Sequence, residues 1–353
     1  MAFEVTIGIP VYNAERYLYR SIKSALSQTF NSIEFLVCDD GCTDSSLEII
    51  KEFQMCHPRG CDIHIIHQPK NLGVGNARNR IIKEAQGEYL YFMDSDDEIS
   101  HDAIELLFDA AKRNDADLVY GSHVRIEEHM GSVNQTVCAY PAKSFHKPDE
   151  FAVWAYRKYD GIQATSWNFL IKVDIYRKNN LIHQPVNFWE DFSLTIDLPT
   201  YVTHVVLLPN LTYFYYCREG SLSNYKKRDY IDKSEITKTI EAVNQLKYKS
   251  ERIIKKSYFP QRMYKLIMTD FYMVGTVIQN KAVIHPSFTK RELRDVMKSP
   301  LSIFDIMKFK KWRGRNLFLF FLGVLPPTIT IYLIEITIRH SKIIKNIWLG
   351  STS

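Results

Sequence analysis

The chain has 353 residues, 46% of them hydrophobic and 24% charged, with 14 Gly and 13 Pro. This is the composition of a folded globular chain. It excludes a disordered or collagen-like one, and the length exceeds the ~100–200 residues of a typical single domain.

The net charge of +5 conceals an asymmetry: residues 1–225 carry 20 Lys+Arg against 30 Asp+Glu, a net of −10, and residues 226–353 carry 25 against 10, a net of +15. Apolar residues Val5–Ile9, ending at Pro10, predict a first strand. Over residues 14–28 the side chains of Tyr17, Leu18, Ile22, Ala25 and Leu26 recur with helical spacing. Ile33–Cys38 predicts a second strand, and Ser45 with Glu48 fits a capping box opening a helix through Leu47, Ile49, Ile50 and Phe53. A third strand at Ile63–Ile66, a helix over 74–85, a fourth strand at Tyr89–Met93, a helix over 101–113 and a fifth strand at Asp117–Tyr120 follow. This alternation predicts an α/β fold, a mostly parallel sheet flanked by helices, with ligands beyond the carboxyl ends of its strands. Residues 122–165 are less regular, residues 162–217 mix short helices and strands, and past Asn224 the pattern turns helical and basic. The expected domains are 1–225 and a basic, mainly helical region, 226–353.

Residues 316–334 carry no charge, and their number approaches the ~20 that a membrane-spanning helix needs. Pro326-Pro327 interrupts the run, and Lys308, Lys310, Lys311, Arg313 and Arg315 precede it, with Arg339, Lys342 and Lys345 after it. Positive charge on both flanks predicts a re-entrant or in-plane segment on an anionic leaflet, with a buried helical hairpin as the alternative. The six cysteines Cys38, Cys42, Cys56, Cys61, Cys138 and Cys217 show no C-x2-C zinc spacing, and no basic stretch of a secretory signal precedes the first strand. A reduced, cytoplasmic protein, peripheral or monotopic at the inner face of the cell membrane, is the expectation.

Four groups of residues suit chemistry. Asp94, Asp96 and Asp97 stand where the fourth strand ends. Residues two apart on a strand share a face, so Asp94 and Asp96 are expected to converge on one hard cation, Mg²⁺ or Mn²⁺; a solvated acidic turn or a helix cap is the plainer alternative. Asp39 and Asp40 end the second strand. Turn and cap chemistry accounts for the following Gly41 and Asp44, and less well for Asp39, which suits a base N–H or a ribose hydroxyl. Between Asn71 and Asn79, Gly73 and Gly75 loosen a loop and Arg78 sits in the first turns of the next helix, a place for a phosphate or base contact or for a surface arginine. That loop is neither a P-loop nor G-x-G-x-x-G, which argues against ATP hydrolysis and dinucleotide redox chemistry. Glu190-Asp191 follows Phe188 and Trp189. An acid beside apolar rings gains a raised pKa suited to a base, and a helix N-terminus that favours negative charge is the alternative. Neighbours on a regular helix or strand point apart, so only one of the two acids is expected to be indispensable.

In this order Ile9-Pro10-Val11-Tyr12-Asn13, Asp39-Asp40-Gly41, the Asn71-to-Asn79 loop, Asp94-Ser95-Asp96-Asp97, Glu190-Asp191 and Tyr215-Tyr216-Cys217-Arg218, with Ser221 and Ser223, resemble the motifs of family 2 glycosyltransferases. The resemblance covers about residues 4–225. It implies a GT-A fold and an inverting enzyme that uses a nucleotide-sugar, a UDP-sugar foremost. It implies a uridine pocket of Pro10, Tyr12 and Asp39, with Tyr12 against the base and Asp39 accepting from it. Arg78 would hold the base or diphosphate, Asp94 the ribose or donor sugar, and Asp96 with Asp94 the Mn²⁺ or Mg²⁺. Ser95 and Arg218 complete the donor-binding positions. Asp191 would be the general base and Glu190 would orient the acceptor. Trp167-Asn168-Phe169 departs from the pattern, because related sequences often place lysine after the asparagine, and Lys172 is the candidate to replace it. The expected reaction is transfer to a hydroxyl of a lipid-linked saccharide or growing surface polysaccharide. The alternatives are transfer to polyprenyl phosphate, which needs no strong base, and a non-catalytic membrane-bound assembly protein. An anionic membrane surface, and no nucleic acid, is the expected partner of the basic end, since the apolar run favours lipid.

Overall fold

The computed structural model describes residues 3–129, 132–157, 164–186, 190–217 and 229–340. The chain divides into two compact units, one of residues 1–155 and 162–222, the other of 156–161 and 223–353. In chain order the elements up to residue 217 are β1 (Val5–Val11), α1 (Glu15–Leu26), β2 (Ile33–Asp39), α2 (Ser46–Cys56), β3 (Ile63–His67), α3 (Val74–Glu84), β4 (Tyr89–Phe92), β5 (Glu98–Ile99), α4 (Ala103–Arg113), β6 (Leu118–His129), β7 (Ser132–Cys138), β8 (Lys143–Phe145), α5 (Glu150–Arg157), β9 (Phe169–Lys172), α6 (Val173–Lys178), α7 (Glu190–Asp197) and β10 (Val205–Cys217).

The strands form one sheet in the order β3-β2-β1-β4-β9-β6-β10-β5, with β7 added to β6 and β8 to β10. The run β3-β2-β1-β4 is parallel, as strand–helix alternation predicts. Beyond it β9 runs antiparallel to both β4 and β6, and β5, β7 and β8 add antiparallel pairs, so the whole sheet is mixed. The irregular stretch after Ser122 hides strands because β7 is solvent-exposed along its length and needs no apolar alternation. Along β2, Ile33, Phe35 and Val37 pack with Leu18 and Ile22 of α1 and Leu107 of α4, while Leu36 and Cys38 pack on the opposite face with Ala77 and Ile81 of α3. A strand buried on both faces reads as a continuous apolar run, which is why β1, β2 and β4 are visible in the sequence.

The capping box expected at Ser45 does not form. Asp44 Oδ1 accepts from the Ser46 N–H at 3.0 Å, and the Ser46 hydroxyl instead receives the Ala14 N–H at 2.8 Å.

The second unit holds β11 (Ile231–Asp232), α8 (Lys233–Lys249), α9 (Phe259–Gln279), β12 (Ile284–His285), α10 (Lys290–Val296), α11 (Ile303–Met307), α12 (Arg313–Val324) and α13 (Pro327–His340). The uncharged run divides into α12 and α13 at Leu325-Pro326, since proline lacks the N–H to continue a helix. Leu319, Leu322, Ile331 and Ile334 are buried. A Cβ on Gly323 would lie 2.7 Å from the Met297 carbonyl oxygen, so only glycine allows this approach. Among the described residues no helix is long and apolar enough to cross a membrane. Lys342 and Lys345 lie outside the described residues.

Candidate active site

The strand ends of the parallel half carry the polar residues. β1 pairs with β4 only as far as Gly8, so Pro10, further along β1, costs that ladder no hydrogen bond. Tyr12 emerges just beyond, about half exposed. Asp39 ends β2, its Oδ1 accepting from the Cys42 N–H at 2.9 Å and its Oδ2 lying 3.1 Å from His67 Nδ1. Burial opposes its charge, yet the hydrogen bonds from Cys42 and His67 hold its pKa below the usual carboxylate range. Asp40 is a brace: it accepts from Gln68 Nε2 and from the Leu72 and Gly73 N–H groups at 2.7–2.9 Å. Gly41, with φ of 74°, turns the chain against the Lys70–Asn71 backbone, where a side chain would collide.

Beyond β4, Asp94, Asp96 and Asp97 each offer an oxygen within 4.8 Å of the others. They meet on a tight turn, with the Asp97 N–H donating to the Asp94 carbonyl at 3.3 Å, and not by alternation along a strand. Asp97 is buried. Its Oδ2 accepts from the Tyr213 hydroxyl at 2.7 Å and its Oδ1 from the Tyr216 N–H at 2.9 Å, while the Asp94 N–H donates to the same Tyr213 oxygen at 3.1 Å. Burial and the mutual repulsion of the three acids push the Asp97 carboxyl well up. This donor set fits a hard divalent cation, because hard oxygens crowd together and a cation relieves their repulsion. Asp94 and Asp96 are the residues that would hold such a cation. Asp97, whose oxygens are occupied by β10, positions the turn.

Arg78, only 2% exposed, lies among three acids. Its Nη2 donates to Asp94 Oδ1 at 2.8 Å, and its Nη1 donates to Asp191 and, at 3.3 Å, to Glu190 Oε1. An arginine expected on a base or diphosphate is thus engaged by carboxylates. It joins the acidic turn after β4 to the first turn of α7. Both Glu190 and Asp191 reach the same nitrogen, contrary to the expectation that adjacent acids diverge: the long Glu190 side chain bridges the angular offset. Asp191 Oδ1 also accepts from the Ser166 hydroxyl at 2.7 Å and lies 3.4 Å from His183 Nδ1, while its Oδ2 accepts from the Ser166 N–H at 3.2 Å. Burial raises its pKa, but Arg78, His183 and Ser166 together lower it to about 2. Burial and the Asp191 charge raise the Glu190 carboxyl to about 7. Phe188 and Trp189, invoked for that shift from sequence, lie outside the described residues, as do Arg218, Ser221 and Ser223.

Ser95 is buried in the acidic turn. Lys172 bonds Asp115 and Asp117, beside Tyr89 at the far end of β4 from Asp94, and so does not replace the missing lysine at this site. Asn168 itself, at φ 61°, is a buried junction: its Nδ2 donates to the Gly121 and Ser122 carbonyls, and its Oδ1 accepts from Tyr91 and Thr212 hydroxyls. Sequence reasoning missed Ser166, His183 and Tyr213. Nothing in their local pattern marks them, since each acts through a neighbour distant in sequence. His183 is docked by Asn79, which both donates to its carbonyl and accepts from its N–H at 2.8 Å.

Comparison with known proteins agrees with this geometry. The sequence profile of glycosyl transferase family 2 matches residues 6–179. Glycosyltransferase GlyG of Streptococcus pneumoniae is 35% identical over 128 residues, which is 36% of this chain and 42% of that protein. Chondroitin synthase of Escherichia coli is 41% identical over 110 residues, 31% of this chain and 16% of that one. The chain thus spans less than half the length of either relative. Cholesterol galactosyltransferase of Borreliella burgdorferi is 27% identical over 324 residues, covering 89% of this chain and 88% of the relative. In three dimensions the chain is similar to residues 1–349 of S. aureus TarS in complex with UDP-GlcNAc, with a TM-score of 0.61 at 15% identity over 96% of this chain and 92% of that one. That likeness establishes a shared GT-A fold. Strand-end motifs in family order, the profile match and these relatives lead to one conclusion: residues 6–179 of this chain form a glycosyl transferase family 2 domain.

Proposed function

We propose that the chain is an inverting glycosyltransferase that moves a sugar from a UDP-sugar to a hydroxyl of a lipid-linked saccharide or polysaccharide acceptor, at the cytoplasmic face of a membrane. The observation that carries this reading is Arg78, which draws the donor-side Asp94 and the acceptor-side Glu190-Asp191 pair into one cluster. TarS bound to UDP-GlcNAc, a protein of the same fold, supports a uridine nucleotide as donor. Tyr12 stacks on the base beside Pro10, Asp39 accepts from the base, and Ser95 and Arg218 complete the donor contacts. A divalent cation held by Asp94 and Asp96 would neutralise charge on the departing diphosphate.

The acceptor oxygen attacks the anomeric carbon from the face opposite the diphosphate. A new carbon–oxygen bond forms as the bond to the diphosphate oxygen breaks, and the carbon inverts. The hydroxyl proton passes to Asp191. Among the described residues its Oδ2 carries a single hydrogen bond, from the Ser166 N–H, which leaves a lone pair for that proton. A pKa of about 2 keeps Asp191 ionised at working pH. A weak base suffices because the hydroxyl grows acidic as its oxygen bonds to carbon. Glu190 orients the acceptor. The test is a screen of nucleotide-sugars with Mn²⁺ and Mg²⁺: release of UDP from one donor supports the reading, and silence across all UDP-sugars with release from another nucleotide class overturns the donor assignment.

A further inference from the structure

The second unit carries an apolar surface that its own core leaves uncovered. On α12 the residues Asn316, Leu319, Leu322 and Gly323 face inward. Arg315, Phe318, Phe321 and Val324 recur every three residues and stay exposed, which is one continuous face of a helix. On α13, Ile329 and Tyr332 continue the exposed set, while Ile331, Ile334 and Ile338 are buried. The five apolar residues of this face, from Phe318 to Tyr332, are each 46–62% exposed, and Phe304 and Met307 of α11 are exposed as well. Scattered single apolar residues need no explanation, but five exposed ones between Phe318 and Tyr332, on two successive helices, mark a binding surface.

The charges at its edge indicate what covers it. Lys308, Lys310, Lys311, Arg313 and Arg315 fall within eight residues with no acid among them, and all five are exposed. Arg315 lies over Trp312, 4.2 Å from its ring centroid, and Trp312 packs on Tyr264 at 5.0 Å. A belt of Trp, Tyr and Arg between a basic turn and an apolar face is the arrangement that sits at the level of lipid headgroups. The acids on α11–α13 are Asp305, bonded to Ser302 and Lys308, and Glu335 on α13. Neither helix is long enough to span, since α12 has 12 residues and α13 has 14, and the break at Leu325-Pro326 keeps them from forming one continuous helix.

We infer that the exposed faces of α12 and α13 insert in the plane of an anionic bilayer, with Phe318, Phe321, Val324, Ile329 and Tyr332 among the acyl chains and the 308–315 bases on the phosphates. A second copy of this chain would cover the apolar residues, but five adjacent positive charges at the edge would repel their own image. The inference deepens the membrane-side reading above by naming the surface that meets lipid. Donor hydrolysis in vesicle-free buffer tests the glycosyltransferase reading separately.

The experiment sediments the full chain with vesicles of mixed phosphatidylglycerol and phosphatidylcholine, and with phosphatidylcholine alone. Binding to the anionic vesicles that weakens with added salt is expected, with little on the neutral ones. Phe318→Gln with Phe321→Gln should lower the partition coefficient about a hundredfold, because two large rings no longer leave water for hydrocarbon. Lys310→Gln with Lys311→Gln should lower it about twentyfold. Both variants should keep the wild-type unfolding midpoint and UDP-sugar hydrolysis. Equal binding to neutral vesicles, no binding at all, or unchanged binding by the Phe variant overturns the inference. A concentration-dependent dimer that the Phe variant abolishes, with vesicle binding unaffected, assigns the face to a second copy and overturns it too.

Discussion

Among the described residues each unit buries a cluster of charges around one cation, Arg78 or Lys247, and the two are built to opposite rules. In the helical unit Lys247 faces one acid. Its ammonium donates to Asp270 Oδ2 at 2.7 Å and to the Val296 and Lys298 carbonyls at 3.3 and 3.1 Å, which uses all three of its hydrogens. In the catalytic unit one guanidinium serves Asp94, Glu190 and Asp191, with Asp96 and Asp97 beside them. The first cluster is closed: charge is matched and the cation has no further donor to offer. The second is short of positive charge, and a buried surplus of carboxylates is unfavourable unless a cation or a proton arrives. Under-neutralisation separates a site awaiting ligands from a pair that only holds helices together.

The comparison breaks most sharply at Asp191. Asp191→Asn keeps the shape but removes the charge that accepts the proton, so kcat should fall ~10²–10⁴-fold with donor KM little changed. Single-turnover rates close to wild type would place the base elsewhere, with Asp97 the next residue to test. Glu190→Gln should raise acceptor KM more than it lowers kcat. At the closed pair the effect should be on stability alone. Lys247→Met strands Asp270 without its partner and should cost about 3–5 kcal/mol, read from the urea midpoint, whereas Lys247→Met with Asp270→Leu should recover most of that loss. Asp96→Ala should remove most of the metal-dependent part of donor binding while the fold persists. Calorimetry with UDP and Mn²⁺ checks this, and an unchanged metal dependence would refute Asp96 as a ligand.

The smallest effect is in pH dependence, and it has opposite readouts in the two clusters. Glu190 is raised from 4.5 to about 7, so it is protonated below that pH. If its charge orients the acceptor, kcat/KM rises as pH increases through about 7, and Glu190→Gln removes this limb. Asp270 is raised from 3.8 to about 6 by burial, against the pull of Lys247. A raised acid favours folding below its unfolded pKa and loses that contribution as pH rises through the folded value. Asp270→Asn should therefore flatten the stability profile between 3.8 and about 6 and leave the activity profile unchanged. Asp191, lowered to about 2, has the reverse sign: its contribution is present above 3.8 and is lost as pH falls through 2.

Much of this was legible in the chain. β1, β2 and β4 are buried on both faces, so their apolar runs stand out, and the polar residues just past them follow from strand-end position. Pro326-Pro327 marks the break between α12 and α13 for the same kind of reason, since a missing N–H is a local fact. The exposed β7 left no pattern to read, and the Ser45 box lost to Asp44 and Ser46, which have partners on α1.

By itself the sequence determined the strand–helix alternation of roughly the first 120 residues, the family motifs, and the division into an acidic and a basic part, because each depends on side chains close together in the chain. Only the tertiary structure decided that Arg78 serves carboxylates 16 and 113 residues away, that Asp97 is held by Tyr213 from β10, and that Ser166 and His183 converge on Asp191. It alone decided that Lys172 lies at the wrong end of β4, and which half of the uncharged run faces outward. The physical reason is the same throughout. Periodicity and turn chemistry are local, whereas charge compensation in a buried site depends on which distant elements the sheet brings together.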